Sequence, residues 1–177
     1  MKTLWLEQLH QCCPHFTPNQ CAYYAEGAIV ALENQGHTKG VLLTVDGDFS
    51  NQFAINWTAS PLKSGWKESR DSTQFGALAI AFFLVTSLTE YSVVEQSPIG
   101  TGFDYYLGYQ DDDPRYDPDN FLQARLEISG LGKGTTAELA ERIRDKMKQT
   151  GRSDGTHLPA YVSVTAFGKP ISYLRKK

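Results

Sequence analysis

The sequence predicts a single α/β domain, a mixed sheet flanked by helices, on three observations. Strand-like runs with period-two alternation occur in both halves of the chain, helical stretches separate them, and one of those helices is apolar on nearly every side. At 177 residues, with 41% hydrophobic and 21% charged residues, the chain can bury one substantial core and is short for two.

The elements follow in order. Pro18-Asn19 precedes a helical stretch from Gln20 to Gln35, where Ala25, Ala28, Ile29 and Leu32 recur at helical spacing and Gly36 supplies a stop. Val41 to Val45 reads as a strand and Asp46-Gly47-Asp48 as a turn. Phe53, Ile55 and Trp57 then alternate with polar neighbours in a second strand that completes a hairpin. Ser60 to Arg70 has no periodicity and reads as a loop. Asp71-Ser72-Thr73 offers a cap for a helix over 73–89. Its middle, Ala77 to Val85, is apolar all round and so demands burial all round.

Three strand-like runs come next: Tyr91 to Glu95, Phe103 to Tyr109, and Leu122 to Ser129. The last two are separated by a stretch from Asp111 to Asn120 that holds five aspartates and two prolines, a solvated hairpin loop. It lacks the spacing and the central glycine of a calcium loop. Gly130 to Gly134 turns the chain. Thr135 and Glu138 form a capping box for a helix ending near Gln149. Ala140, Ile143 and Met147 are its expected apolar stripe, with Arg142, Arg144, Lys146 and Lys148 on the remaining faces. Pro159 introduces a last strand, Ala160 to Phe167. The expected division is an N-terminal helix-plus-hairpin extension over 1–70, a core over 71–168 and a short basic tail over 169–177.

Composition excludes several classes. A formal net charge of −3 gives no global attraction to nucleic acid, so such binding would need a local basic patch. The first residues acquire charge too early for a secretory segment, and the apolar run from Phe75 to Val85 is too short for a bilayer. A cytoplasmic location without membrane association is expected. Cys12, Cys13 and Cys21 cannot all pair and fit a reducing compartment. Even with His10 and His15 nearby, they lack the spacing of a zinc site. These histidines, His37 and His157 lie outside the signatures of serine or cysteine nucleophiles, and there is no Gly-x-Ser-x-Gly elbow.

The informative polar residues are on strands, where positions two apart share a face. Leu126 and Ile128 face one way; Arg125, Glu127 and Ser129 face the other. Asp104 and Tyr106 likewise oppose Phe103, Tyr105 and Leu107. If these runs pair, Asp104 and Glu127 project from one side of the sheet. Two such carboxylates repel, which raises one pKa unless a cation lies between them. Mg²⁺, which takes one or two carboxylates plus water and phosphate, would relieve that repulsion.

From Thr73 to Phe167, the order helix, strand, strand with Asp, strand with Glu, helix, strand resembles the restriction-endonuclease-like, or PD-(D/E)XK, nuclease superfamily, whose core is α-β-β-β-α-β. Gly102-Phe103-Asp104-Tyr105-Tyr106-Leu107-Gly108 is similar to its aspartate strand, and Leu126-Glu127-Ile128-Ser129-Gly130 to its glutamate strand. The resemblance covers about half of the chain. It implies a nuclease acting on DNA or RNA, with Asp104 and Glu127 holding Mg²⁺ or Mn²⁺. Ser129 occupies the third motif position, where the family has a catalytic lysine; a serine hydroxyl carries no positive charge. Arg125, Lys133, Lys146 or Lys148 are the available replacements, though Arg125 cannot deprotonate. Without one of them, the fold would serve as an inactive binding or regulatory subunit with a protein partner.

A second candidate is the glycine loop itself. It joins a strand to a helix N-terminus, where free N–H groups and Lys133 would suit a phosphate. It is not a Walker motif, because the glycine spacing fails. A nucleotide or small-molecule binder is the weaker reading it supports. Glu26 and Glu95 remain as further acids that either join the site or face solvent.

Overall fold

A computed structural model describes residues 1–177. The chain forms β1 (Lys2–Trp5), α1 (Pro18–Asn34), β2 (Val41–Gly47), β3 (Asn51–Asn56), α2 (Ser69–Leu88), β4 (Tyr91–Gln96), β5 (Tyr105–Tyr109), β6 (Ala124–Leu131), α3 (Thr136–Gln149), β7 (Ala160–Ala166) and β8 (Ile171–Lys176). Short 3-10 segments cover 6–12, 63–65 and 150–156. All eight strands lie in one mixed sheet, in the order β1-β3-β2-β8-β7-β6-β5-β4. β4, β5 and β6 are an antiparallel meander, and β7 returns parallel to β6.

Two hydrophobic cores result, one on each face. The larger joins α1 and α2 to the inward residues of every strand and runs the length of the sheet. Within it, α2 buries Ala77 to Val85 without interruption. By composition and length α2 is the one helix that could cross a bilayer; here its apolar surface is taken up by the sheet and by α1. The two helices approach closely because Gly76 has no side chain: a Cβ there would lie 2.8 Å from the Ala28 Cα. The smaller core packs Leu139 and Ile143 of α3 on Val162, Val164 and Ala166 of β7.

Several expectations are corrected. The 169–177 segment is not a tail but β8, inserted between β7 and β2, antiparallel to one and parallel to the other. Its Ser172 and Leu174 are fully buried, and the terminal Arg175-Lys176-Lys177 had masked a four-residue alternation. Residues 1–70 are therefore part of the common sheet rather than an extension. Within them, β1 was unforeseen and pairs parallel to β3. α2 starts at Ser69, not Thr73: Asp71 lies in its first turn, and the N-cap Glu68 makes no side-chain cap. Thus the Ser60–Arg70 loop ends in helix. α1 is capped by Thr17, with Pro18 in its first turn, and Gly36 takes the expected left-handed φ of +80°. β2 runs through Gly47, so the hairpin turn is later than Asp46-Gly47-Asp48. On α3 the apolar stripe begins at Leu139, and Ala140 is exposed. The capping box of Thr135 and Glu138 is present.

Candidate functional site

The site is built where the start of β5 meets the middle of β6. β5 and β6 pair with Tyr105 opposite Leu126 and Tyr106 opposite Arg125, and Asp104 extends the ladder by donating its N–H to the Leu126 carbonyl at 2.9 Å. This register sets Asp104 across from Glu127 on the α3 side of the sheet. Asp104 Oδ2 accepts the Ile128 N–H at 2.7 Å, which fixes the carboxylate against β6. The strand over 103–109 is two residues shorter than expected at its start, and a side-chain hydrogen bond replaces the missing ladder bond.

Glu127 is 1% exposed. Its Oε1 accepts Lys146 Nζ at 2.5 Å and Gln149 Nε2 at 3.0 Å, both from α3. Its Oε2 is buried and has no donor. Asp104 stands across the β5–β6 register from Glu127, so two acids meet, with Lys146 and Gln149 on one and the Ile128 N–H on the other. Burial pushes Glu127 up to about 7, with the Asp104 charge adding to the rise and Lys146 opposing it. Burial likewise raises Asp104, against the lowering effects of the Ile128 N–H and Lys146.

Above the acids is a cleft of about 880 Å³, bounded by the end of α1, the first turns of α2, the ends of β4 and β6, and α3. Asp104, Ser129, Lys133, Arg142 and Lys146 line it, and Arg70 enters from α2. Gly130 makes the cleft's floor possible: a Cβ there would lie 2.4 Å from the Thr73 carbonyl oxygen, so only glycine lets β6 run under α2.

The four residues expected to act together are divided by the structure. Asp104 and Glu127 converge. Ser129 is on the same face, with its Oγ accepting Arg142 Nη1 at 2.8 Å. Lys133 is exposed in the glycine loop, held there because Gly168 lets the chain pass within contact of the Lys133 backbone. It lines the cleft rather than joining the acids. Of the replacement cations, Lys146 reaches Glu127 and Lys148 is exposed. Arg125 turns away: its buried guanidinium donates to Leu158 O, Thr150 O, Ser153 Oγ and Asp154 Oδ1. Arg142 and Gln149 were not singled out from the sequence. The signal was present, since 142, 146 and 149 share one helical face.

The other candidates have structural partners. Glu26 accepts Trp66 Nε1 at 2.9 Å, and Glu95 is exposed. Cys12, Cys13 and Cys21 are free thiols whose pKa values burial raises, the opposite of what a nucleophile needs.

A divalent cation fits the acid pair on its chemistry. One buried carboxylate oxygen lacks any partner, both donors are hard oxygens, and water and a phosphate oxygen would complete a magnesium sphere. No third Asp, Glu, His or Cys joins them in a metal-binding group. No protein-family model, curated protein or solved structure matches the chain.

Proposed function

We propose that the chain is a divergent metal-dependent nuclease that hydrolyses phosphodiester bonds of nucleic acid in the cytoplasm, with Mg²⁺ or Mn²⁺ held by Asp104 and Glu127. The observation that carries this reading is the buried Glu127 Oε2, without a donor, behind the Asp104 carboxylate, which itself lines a cleft together with Arg70, Lys133, Arg142 and Lys146. A protein that buried this pair only for stability would leave a destabilising conflict in place. A pair awaiting a cation explains it.

The run α2-β4-β5-β6-α3-β7, with its antiparallel meander and parallel return, supports the likeness to restriction-endonuclease-like cores. A bound magnesium ion would acidify water and offset charge at the phosphate. The chain's own groups have separate tasks. Lys146, entering from α3, supplies the positive charge that Ser129 cannot, and holds Glu127 in place with Gln149. Arg142 stands between Ser129 and the cleft, placed to bind a phosphate oxygen. Lys133 contacts a neighbouring phosphate from the loop.

The test is cleavage of mixed-sequence oligonucleotides with Mn²⁺, comparing wild type with Asp104→Ala and Glu127→Ala. Cleavage lost in both variants is expected; cleavage that survives in both overturns the assignment. A second reading, an inactive subunit that binds a protein partner, is favoured by the closed Lys146–Glu127 ion pair, which already neutralises one of the acids. Absence of Mn²⁺ binding by calorimetry, together with absence of cleavage, would select it.

A further inference from the structure

The cleft's dimensions and the division of its walls carry the nuclease reading one step further, to the form of its substrate. Asp104 is half-buried and lines the cleft, while Glu127 is fully buried behind it, so a phosphodiester reaches the pair only by descending into the cleft to Asp104. At about 880 Å³ the cleft is in the range of pockets that enclose a single drug-sized ligand, on the order of one or two nucleotides rather than a turn of duplex.

Its lining is uneven. Arg142, Lys146 and Lys133 occupy the α3 and glycine-loop side. The end of α1, the first turns of α2 and the end of β4 bring to the same lining the amides of Gln35, Gln74 and Gln96, with Arg70 as their cation. An amide both donates and accepts, which is what the Watson–Crick edge of an unpaired base requires. Cations from α3 and the glycine loop, with amides from α1, α2 and β4, fit a strand whose phosphates follow α3 while its bases turn toward α2. The net charge of −3 supplies no broad attraction to a duplex, so the attraction is concentrated in the cleft.

We infer that the cleft admits a single strand, or an unpaired strand end, whose scissile phosphate is lowered onto Asp104, with Glu127 behind it. This rests on the nuclease reading and adds strand form to it. A duplex must first unpair to reach the acids, and that free-energy cost is absent for a strand already single.

The test uses the full chain with Mn²⁺ and one labelled oligonucleotide, offered single-stranded or within a blunt duplex of the same sequence. Single-strand cleavage at least ~10-fold faster is expected, because each such factor corresponds to a modest unpairing cost. Equal or faster cleavage of the duplex overturns this inference and leaves the nuclease reading intact. Cleavage of neither form overturns both. A second variant probes the route. Gly132 has free space around it, its nearest neighbour to an added Cβ being Thr73 Oγ1 at 3.8 Å, so Gly132→Trp would fill the cleft without disturbing the acids. Single-strand cleavage should fall at least ~10-fold while Mn²⁺ binding by calorimetry is retained; unchanged cleavage would show that substrate does not use this path.

Discussion

Arg125 and Glu127 are neighbours on one face of β6, both almost fully buried, yet their surroundings are opposite. Arg125 has a partner for each of its nitrogens: two carbonyls, a serine hydroxyl and the Asp154 carboxylate, itself paired to Lys177. Glu127 has a cation and an amide on one oxygen, nothing on the other, and a second acid alongside. Burying a charge is costly unless it is paired and hydrogen-bonded. The Arg125 end meets that condition and clasps the 150–156 segment onto the sheet. The Glu127 end fails it at one atom, and it is on that failure that the proposed site rests.

The largest expected effect separates the two ends by activity. Glu127→Gln removes the conflict between acids and also the anionic ligand, so metal-dependent cleavage should fall by more than about 100-fold, beyond the usual cost of losing an outer-shell partner. The fold should be retained, as circular dichroism would report. Arg125→Met should do the reverse. It leaves the Leu158 carbonyl without its side-chain donor and removes one donor each from the Thr150 carbonyl and the Ser153 hydroxyl, which keep their mutual hydrogen bond. Denaturant titration should show a loss of about 1–3 kcal/mol. Mn²⁺ affinity should stay near that of wild type. Equal stability loss in both variants would erase the contrast.

Next comes Lys146→Met. Without its ammonium, Glu127 would be pushed higher still, and stability near pH 8 should drop by about 1–3 kcal/mol, the cost of leaving a buried acceptor short of a donor. Cleavage should fall as well. Lys148→Met, on the exposed side of α3, should change neither measurement.

The pH dependence follows from Glu127, raised from about 4.5 to about 7 in the folded protein. Below pH 4.5 both folded and unfolded chains hold the proton and the pair imposes no penalty. Between 4.5 and 7 the unfolded chain releases it while the folded chain keeps it, so this contribution to stability declines as pH rises and is lost above 7. Asp104 acts in the same direction. A cation bound between the acids, as proposed, would reverse the loss. Thermal melts should therefore show Mg²⁺ stabilising the protein more at pH 8 than at pH 5; equal stabilisation at both would place the ion elsewhere. The smallest expected effect belongs to Lys133→Ala, an exposed loop residue, with cleavage reduced about 2- to 10-fold and more strongly as salt is lowered.

Much of this was legible in the residues, and the reasons are local. Alternation along 124–129 put Glu127 and Ser129 on one face of their strand and, along 103–107, Asp104 opposite Phe103 and Tyr105, since a strand has only two faces. That the two acids share a side waited on the pairing of β5 with β6. The apolar middle of α2 declared its own burial. Gly36 and the Thr135–Glu138 box marked helix ends through chemistry that needs no distant partner. Ranking the cations of α3 was harder: the helical spacing was visible, but which side would face β6 depends on where Leu139 and Ile143 find their core.

The sequence by itself determined the sheet-and-helix character and the faces of the strands, because these follow from periodicity within a few residues; the meeting of Asp104 with Glu127 came from the register of β5 on β6. Tertiary structure alone decided that residues 171–176 join the sheet as β8 and that Arg125 is structural. It also decided that Lys146 meets Glu127 and that Asp104 lines a cleft. Those outcomes depend on which surfaces meet across long stretches of chain, and neither a strand's alternation nor a helix's stripe names its partner.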